Sequence, residues 1–299
     1  MMRLISFILL STLLASGCVR VQKQGPQIPA PNATQKIAKA KATLKEKQKS
    51  FSPSNPPEIL GGIIQSDSWI IYKDKQQEEF KGNVSYDNGM YVFKSDYALS
   101  DRAKQQFSAS GNVFLKQNDS NGSFYEVYTD YALYRYKAQK VRLKAAAGKR
   151  IKLVYSDEKQ QKITAFSKTA SVDLATKVFI LEGDVLVERP TEQGMEKFTA
   201  QKAIFDQIKM FGKLEGNAVL SDEQRTLQAD KVVYDRSQNR SYAEGSRPLL
   251  TGKMEQGDFA IIADKVESDN EAKKIIMNGK VQGWFVSPKL NDSPINAKF

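Results

Sequence analysis

The sequence predicts an all-β protein, built as an elongated array of about six to seven repeated two-strand units. Three observations support this fold class. An internal repeat runs through the chain, apolar and polar residues alternate from about residue 59 to residue 286, and no stretch carries a sustained helical stripe. Because one unit of this size cannot bury its own apolar face, stacked copies in a single extended domain are expected.

Each unit combines a small residue and an acidic or polar residue with a later glycine that opens a short apolar strand. The acidic or polar positions are Asp96, Asp130, Lys168, Gln201, Asp230 and Asp264, and the matching glycines are Gly111, Gly148, Gly183, Gly216, Gly245 and Gly279. The interval is 15 residues in every pair except the second, where it is 18. Six copies in register indicate one structural unit repeated along the chain.

Alternation within the second strand of a unit puts the glycine on the apolar face, for example between Ala109 and Val113. A glycine inside a strand requires a reason, such as a bulge or a close approach to the backbone. Two explanations stay open at this stage: two sheets converge at the glycine, or its missing side chain opens a groove between them. The acidic position has the opposite parity, so we expect it to face solvent or to cap a turn.

The first 17 residues have the pattern of a lipoprotein signal peptide. Arg3 gives a positive start, residues 4–14 are almost wholly apolar, and small residues precede Cys18, the only cysteine of the chain. This segment resembles a lipobox, which implies cleavage before Cys18 and lipid attachment to its sulfur. We therefore expect a lipid-anchored protein on the periplasmic face of a bacterial membrane, with the outer membrane favoured because Val19 follows the cysteine and the inner membrane still possible.

The predicted domain organisation has three parts after the signal peptide. Residues 18–57 are rich in lysine and proline and are interpreted as a flexible tether, either fully solvated or in contact with anionic lipid headgroups. Residues 58–286 form the repeat domain, and residues 287–299 form a C-terminal tail.

The chain lacks the residues that most enzymes use. It contains no histidine, which removes the commonest general base and metal ligand, and it has no glycine-rich phosphate loop. No pair of carboxylates is singled out for glycosidase chemistry. We therefore predict a protein without catalytic residues, metal or cofactor, and no nucleic-acid partner.

The net charge of +11 is unevenly distributed. Eleven lysines and arginines lie between residues 135 and 168, against Asp157 and Glu158. The candidate anion patch within this segment consists of Arg135, Lys140, Arg142, Lys144, Lys149, Arg150 and Lys152. A solvated face and a binding surface for polyanions such as lipid phosphates remain equal alternatives.

At this point the residues resemble a known family. The strings FSASGNVFL, FTAQKAIFD, LQADKVVYDRSQNRSYAEGSRPLL and IIADKVESDNEAKKIIMNGKVQGW are similar to the repeats of organic-solvent-tolerance (OstA-like) proteins, the periplasmic components of lipopolysaccharide transport. The resemblance covers roughly residues 80–284. The opening SWIIY and EFKGNV is similar to the inner-membrane-anchored member of that pathway.

The resemblance implies an antiparallel β-jellyroll, or β-taco, whose apolar interior shields the acyl chains of lipopolysaccharide or another envelope lipid. Its open sheet edges would pair with other transport proteins. The candidate acyl-groove face comprises Phe107, Val113, Leu115, Phe179, Leu181, Val185, Met277 and Val281. The alternatives are a membrane-tethered structural or adhesive β-solenoid without lipid cargo, and a carbohydrate-processing enzyme of the envelope.

Overall fold

The structure is a computed structural model that describes residues 63–118, 122–157, 160–191, 194–206, 208–235, 237–254, 257–269 and 274–286. Within these residues there are twenty antiparallel strands and no helix, so the all-β prediction is confirmed. The predicted signal peptide, Cys18, the tether and the C-terminal tail lie outside the described residues.

Eight of the strands have eleven or more residues, and they come in two runs of four with short strands before, between and after them. The strands are β1 (Ile63–Gln65), β2 (Ser68–Tyr72), β3 (Gln77–Asp87), β4 (Tyr91–Asp101), β5 (Gln106–Asn118), β6 (Phe124–Arg135), β7 (Lys140–Lys144), β8 (Ile151–Ser156), β9 (Lys162–Ser167), β10 (Thr169–Asp173), β11 (Val178–Thr191), β12 (Gly194–Asp206), β13 (Phe211–Ser221), β14 (Arg225–Asp235), β15 (Arg240–Glu244), β16 (Leu249–Met254), β17 (Gly257–Ile262), β18 (Lys265–Asp269), β19 (Lys274–Asn278) and β20 (Gln282–Val286).

The strands form two layers, and each long strand passes from one layer to the other. Residues 77–81 of β3 pair with β2 in the first layer, whereas residues 85–87 of the same strand pair with β1 in the second. In the same way β6 pairs with β7 through one half and with β8 through the other. Among the described residues the backbone pairings run within a layer, so the backbone connects the two layers only along the line where the long strands bend.

We call this line of bends the spine, and it coincides with the repeated glycines. At Gly111 and Asn112 both φ angles are positive, +74° and +45°, and the register of β5 against β6 shifts between Ser110 and Val113. These are the marks of a β-bulge, which bends a strand and re-aims its side chains. Glycine recurs there because a left-handed backbone costs it little.

The prediction that the glycines lie on the apolar face is wrong. A Cβ added at Gly111 would lie 2.8 Å from the Cβ of Asp96, an exposed side chain on the outer surface of the spine. The bulge has turned the glycine outward, so it opens no groove between the layers. Of the two expectations for the acidic position, the structure confirms that it faces solvent: Asp96 is exposed, and its Oδ2 accepts a hydrogen bond from Asn112 Nδ2 over 2.9 Å.

The structure adds a seventh unit that precedes the six found in the sequence. Gly82 has φ +70°, is followed by Asn83 at +47°, and lies against the side chain of Asp67. Asn83 Nδ2 donates to Asp67 Oδ2 over 3.0 Å. The separation of 15 residues between Asp67 and Gly82 is the common interval of the repeat.

Opposite the spine lie two rows of hairpin turns, one at the free margin of each layer. The first layer turns at residues 73–76, 102–105, 136–139 and 174–177, and the second at residues 88–90 and 222–224. Since no strand pairing joins the rows, this side is the mouth of the sandwich. The apolar core fills the space between spine and mouth and runs from Phe80 to Val266.

Candidate functional site

A continuous ladder of small and apolar side chains crosses the inner face of the first layer beside the spine. Each member is the registered partner of the next, and the members are mostly buried. In order they are Phe80, Ala98, Ala109, Ala132, Leu143, Ala170, Leu181, Ala203, Leu214, Val232, Ala243, Val266 and Met277. The alternation of alanine with larger residues gives the ladder an uneven, channel-like surface along the whole array.

The second layer carries a matching ladder closer to the mouth. Its members are Tyr86, Phe93, Leu115, Val127, Leu153, Ala165, Val187, Phe198, Leu220, Leu227, Leu250, Ile261 and Gly283. The second ladder touches the inner face of the first layer, since the ring of Phe93 lies 5.4 Å from that of Phe107, edge to face. We call the space that the ladders enclose the interlayer groove.

Register places seven of the eight candidate groove residues on inner rows. Leu181 and Met277 belong to the first ladder, Leu115 to the second, and Val113 and Val185 are buried beside the spine. Phe107 and Phe179 share an inner row of the first layer, one step nearer the mouth.

Val281 is the exception. It precedes β20, outside any strand, and is 50% exposed at the end of the array. Leu115 is also 38% exposed although it faces inward, because the mouth is open beside it. The assignment of all eight residues to an acyl-binding face stays a prediction.

A cavity of about 40 Å³ marks the groove in the C-terminal half. Phe198, Leu220, Leu227, Leu250 and Ile275 form much of its apolar wall. The volume is comparable to that of one or two waters. The interior is therefore nearly filled, and an acyl chain would enter only if the layers moved apart at the mouth.

The rim of this cavity is polar and charged, with Glu196, Asp222 and Arg225 at its margin. Glu196 accepts a hydrogen bond from Arg189 Nε over 2.8 Å, and both side chains are largely buried. Burial raises the pKa of Glu196 although the Arg189 guanidinium opposes the shift. The rim thus holds an ion pair at the border between the apolar groove and water, a feature that sequence patterns did not single out.

The ends of the array leave inner-row side chains uncovered. At the N-terminal end Trp69 packs on Phe80 with ring centroids 5.1 Å apart but remains 53% exposed, and Ile71 is 59% exposed. At the C-terminal end Phe285 of β20 is exposed as well. Among the residues that the structure describes, strands β1, β2, β19 and β20 each pair on one side only, which leaves their other backbone edges open there.

The predicted anion patch lies on the outer surface around one bend of the spine. Lys140, Arg142 and Lys144 alternate along β7 on its exposed face, Arg135 lies at the end of neighbouring β6, and Lys149, Arg150 and Lys152 follow the bend. Lys140 pairs with Asp173 at 3.5 Å and Lys149 with Asp130 at 2.9 Å. The patch is thus one basic surface on the outer face, which extends from the turn at residues 136–139 to the bend of the spine.

Two negative findings apply to the described ranges alone. They contain no cluster of three or more acidic, cysteine or histidine residues suited to holding a metal ion. They also contain no helix of the length and apolarity needed to span a membrane.

Comparison with known proteins finds a likeness in structure and none in sequence. No protein-family model matches the chain, and no curated protein sequence is significantly similar to it. Among solved structures the chain is similar to LptH, the LptA-homologous periplasmic component of the lipopolysaccharide transport device of Pseudomonas aeruginosa, with 12% identity and a TM-score of 0.35. The match covers 44% of this chain and 85% of that chain. We therefore base the proposed function on the interlayer groove of this chain and not on that likeness.

Proposed function

We propose that this protein shields the acyl chains of an envelope lipid, in the first place lipopolysaccharide, between its two β-layers and passes the lipid along the array. In this proposal Cys18 carries the lipid anchor on the periplasmic side, and the polar headgroup of the cargo stays in water at the mouth. No chemical step is involved, so the protein acts as a conduit rather than an enzyme.

The observation that carries the proposal is the pair of uninterrupted apolar ladders that run the length of the molecule. A core that served stability alone would be closed at its ends, whereas the first ladder continues beyond Phe80 to Trp69, which is exposed, and Ile71 and Phe285 beside the ladders are exposed as well. Each CH₂ transferred from water to such a surface contributes about 0.8 kcal/mol, so a long acyl chain gains enough to displace part of the packing between the layers.

The mouth provides a route for opening. Strand pairing holds each layer together internally, and the two layers are hydrogen-bonded to each other only through the bends of the spine. Contacts such as Phe93 with Phe107 are apolar and can exchange for contacts with an acyl chain at little net cost. The layers can therefore part like a hinge without breaking a ladder of backbone hydrogen bonds.

The open edge strands provide a place where a partner protein could bind. An unpaired strand edge can add a strand from another chain, and the inner rows would then continue from one molecule into the next. Neighbours in this proposal are other envelope transport proteins of similar architecture or further copies of this chain.

Photocrosslinking with paired probes tests the groove. A photoreactive phenylalanine analogue is placed at Leu115 or Phe179, which face inward, and at Phe114 or Ile180, their immediate neighbours on the outer surface. The full chain is irradiated with lipopolysaccharide and with its deacylated form. We expect crosslinks from the inner positions that require the acyl chains, and background yield from the outer positions.

The nearly filled interior favours one competing function, a structural or adhesive lipoprotein that carries no lipid. In that case the inner probes would crosslink only to the protein itself, with or without lipid. Equal yields from Leu115 and Phe114 would also contradict the conduit, because they would indicate lipid adsorbed to the outside.

A further inference from the structure

The bend between β7 and β8 differs from the other bends of the spine. Here the interval of the repeat is 18 residues, and the extra length forms a loop at residues 145–150 in which Ala146, Ala147 and Gly148 are exposed. Asp130 fixes the loop, because it accepts a hydrogen bond from Ala146 N over 2.8 Å and pairs with Lys149 Nζ at 2.9 Å. The loop therefore projects from the spine in a conformation that these contacts to Asp130 hold in place.

Two tyrosines and two lysines flank this loop symmetrically. On the second layer Lys152 is the registered partner of Tyr128 and its ammonium lies 5.6 Å from the ring centroid. On the first layer Lys144 is the registered partner of Tyr131. Tyr128 is 40% exposed and Tyr131 39%. We call these four residues, the loop and Arg150 the basic corner.

Three of the four cations of the basic corner have no carboxylate within ion-pair distance in the described part of the chain, whereas Lys149 of the loop pairs with Asp130. Within the described part of the chain no Asp or Glu oxygen lies within 4.0 Å of the charged groups of Lys144, Arg150 or Lys152, and Arg150 instead stacks over Phe166 at 4.9 Å. Several lysines elsewhere on the outer face are matched with glutamates. Examples are Lys116 with Glu126 at 3.1 Å, Lys202 with Glu182 at 2.7 Å and Lys265 with Glu267 at 2.7 Å.

We propose that the basic corner docks on the phosphate surface of an anionic membrane. Unpaired lysine and arginine attract anionic headgroups, and exposed tyrosine rings settle at the level where headgroups meet acyl chains. The small alanines of loop 145–150 let the projection approach the headgroups closely. Because the spine lies opposite the mouth, docking here leaves the interlayer groove open to cargo, so this surface is distinct from the lipid conduit.

Site-specific fluorescence tests the docking. In a Cys18→Ser background of the full chain, an environment-sensitive dye is attached at Ala147→Cys in the loop, or at Gln238→Cys in the turn after β14 as a control on the mouth side. Vesicles of phosphatidylglycerol and phosphatidylcholine should shift the emission of the loop dye to the blue and leave the control dye unchanged. Vesicles of phosphatidylcholine alone, or 0.5 M salt (roughly three times physiological ionic strength), should abolish the shift.

A matched pair of triple variants assigns the effect to these cations. Lys144→Gln/Arg150→Gln/Lys152→Gln removes three charges from the corner. Lys73→Gln/Lys94→Gln/Lys253→Gln removes three exposed charges elsewhere for which the structure gives no ion pair within the described residues. At roughly fivefold in affinity per cation near an anionic surface, the corner variant should bind vesicles at least about tenfold more weakly, and the control variant nearly normally. Residues 1–57 are present in every variant, so their contribution cancels in the comparison.

Three outcomes would overturn the proposal. Equal shifts at both dye positions would mean that the whole molecule adsorbs without a preferred face. Equal losses of vesicle affinity in the two triple variants, with unchanged melting temperatures, would mean that binding depends on net charge and not on this surface. Binding of soluble polyphosphate without any vesicle-dependent shift would assign the corner to a dissolved polyanion instead of a membrane.

Discussion

At the scale of single residues, the repeated glycines combine two constraints that can be separated. Gly111 has φ +74°, and a Cβ there would also collide with Asp96. Gly148 has a similar φ of +76°, but an added Cβ would meet no atom within 4 Å, because the longer loop has moved the neighbouring chain away. Substitutions at these two glycines therefore separate the cost of a left-handed backbone from the cost of a steric clash.

We therefore expect Gly111→Ala to destabilise the protein more than Gly148→Ala. Forcing a residue with a Cβ into the left-handed region costs about 1–3 kcal/mol, and only Gly111→Ala adds the displacement of an aspartate at a bend. Chemical denaturation of the two variants against the parent chain measures the difference. Equal losses would mean that crowding at the spine is unimportant and that the sign of φ alone selects glycine.

Aspartates at strand ends fix the turns along the mouth of the first layer. Asp101 accepts a hydrogen bond from Lys104 N over 2.9 Å and another from Gln77 Nε2 over 2.7 Å. Asp173 accepts from Thr176 N and Asp235 from Ser237 N in the corresponding turns. The hydrogen bond from Lys104 N lowers the pKa of Asp101 most, and hydrogen bonds likewise lower the pKa values of Asp173 and Asp235.

The direction of these shifts predicts how stability depends on pH. A carboxyl whose pKa is lower in the folded state stabilises the fold above its unfolded pKa, and that contribution disappears as the pH falls through the folded value. The melting temperature should therefore fall steeply below about pH 4. Asp101→Ala should melt lower than the parent at pH 7 and approach it at pH 2.5. A constant difference at both pH values would rule out the carboxylate as the cause.

At the scale of elements, the sequence predicted strands and their repeat but missed how the strands bend. Alternation was sufficient to assign Phe107, Leu181 and Val185 to one face, and register bears out their inward placement. Alternation failed for the glycines because each of them lies within a bulge. There the two left-handed residues turn the backbone, so the glycine does not face the side that alternation assigns to it. Val281 differs for another reason: it holds the position of Val113 and Val185 in its unit, but it lies outside any strand at the end of the array and is 50% exposed.

The first unit was missed for a different reason. Asp67 and Gly82 keep the common interval, but the strand around Asp67 was interpreted only as an aromatic opening of the domain. The charged rim at Arg189 and Glu196 had no signature at all, because the two residues come together through the register of β11 and β12 and not through any spacing in the chain. Pairings between strands are a tertiary property, and an alternating sequence leaves them open.

At the scale of the whole molecule, the start and the finish of the array each offer open strand edges that could pair with those of the other end. Each end offers one strand edge per layer, β2 and β1 at the start, β19 and β20 at the finish, with exposed apolar residues on the inner rows. A contact between the start of one copy and the finish of another is heterologous and does not close on itself. Such contacts would extend the interlayer groove from one copy to the next.

If the ends meet in this way, a charge that points inward on either edge should block one end only. Ile71→Lys disables the start and Phe285→Lys the finish, since inward-pointing charges are an effective protection of strand edges. We expect the parent chain to show a mass that rises with concentration in light scattering, and each variant alone to stay monomeric. An equimolar mixture should stop at the dimer, because the intact finish of the first variant can meet the intact start of the second. A mixture that remains monomeric, or one variant that dimerises alone, would contradict head-to-tail contact between these edges.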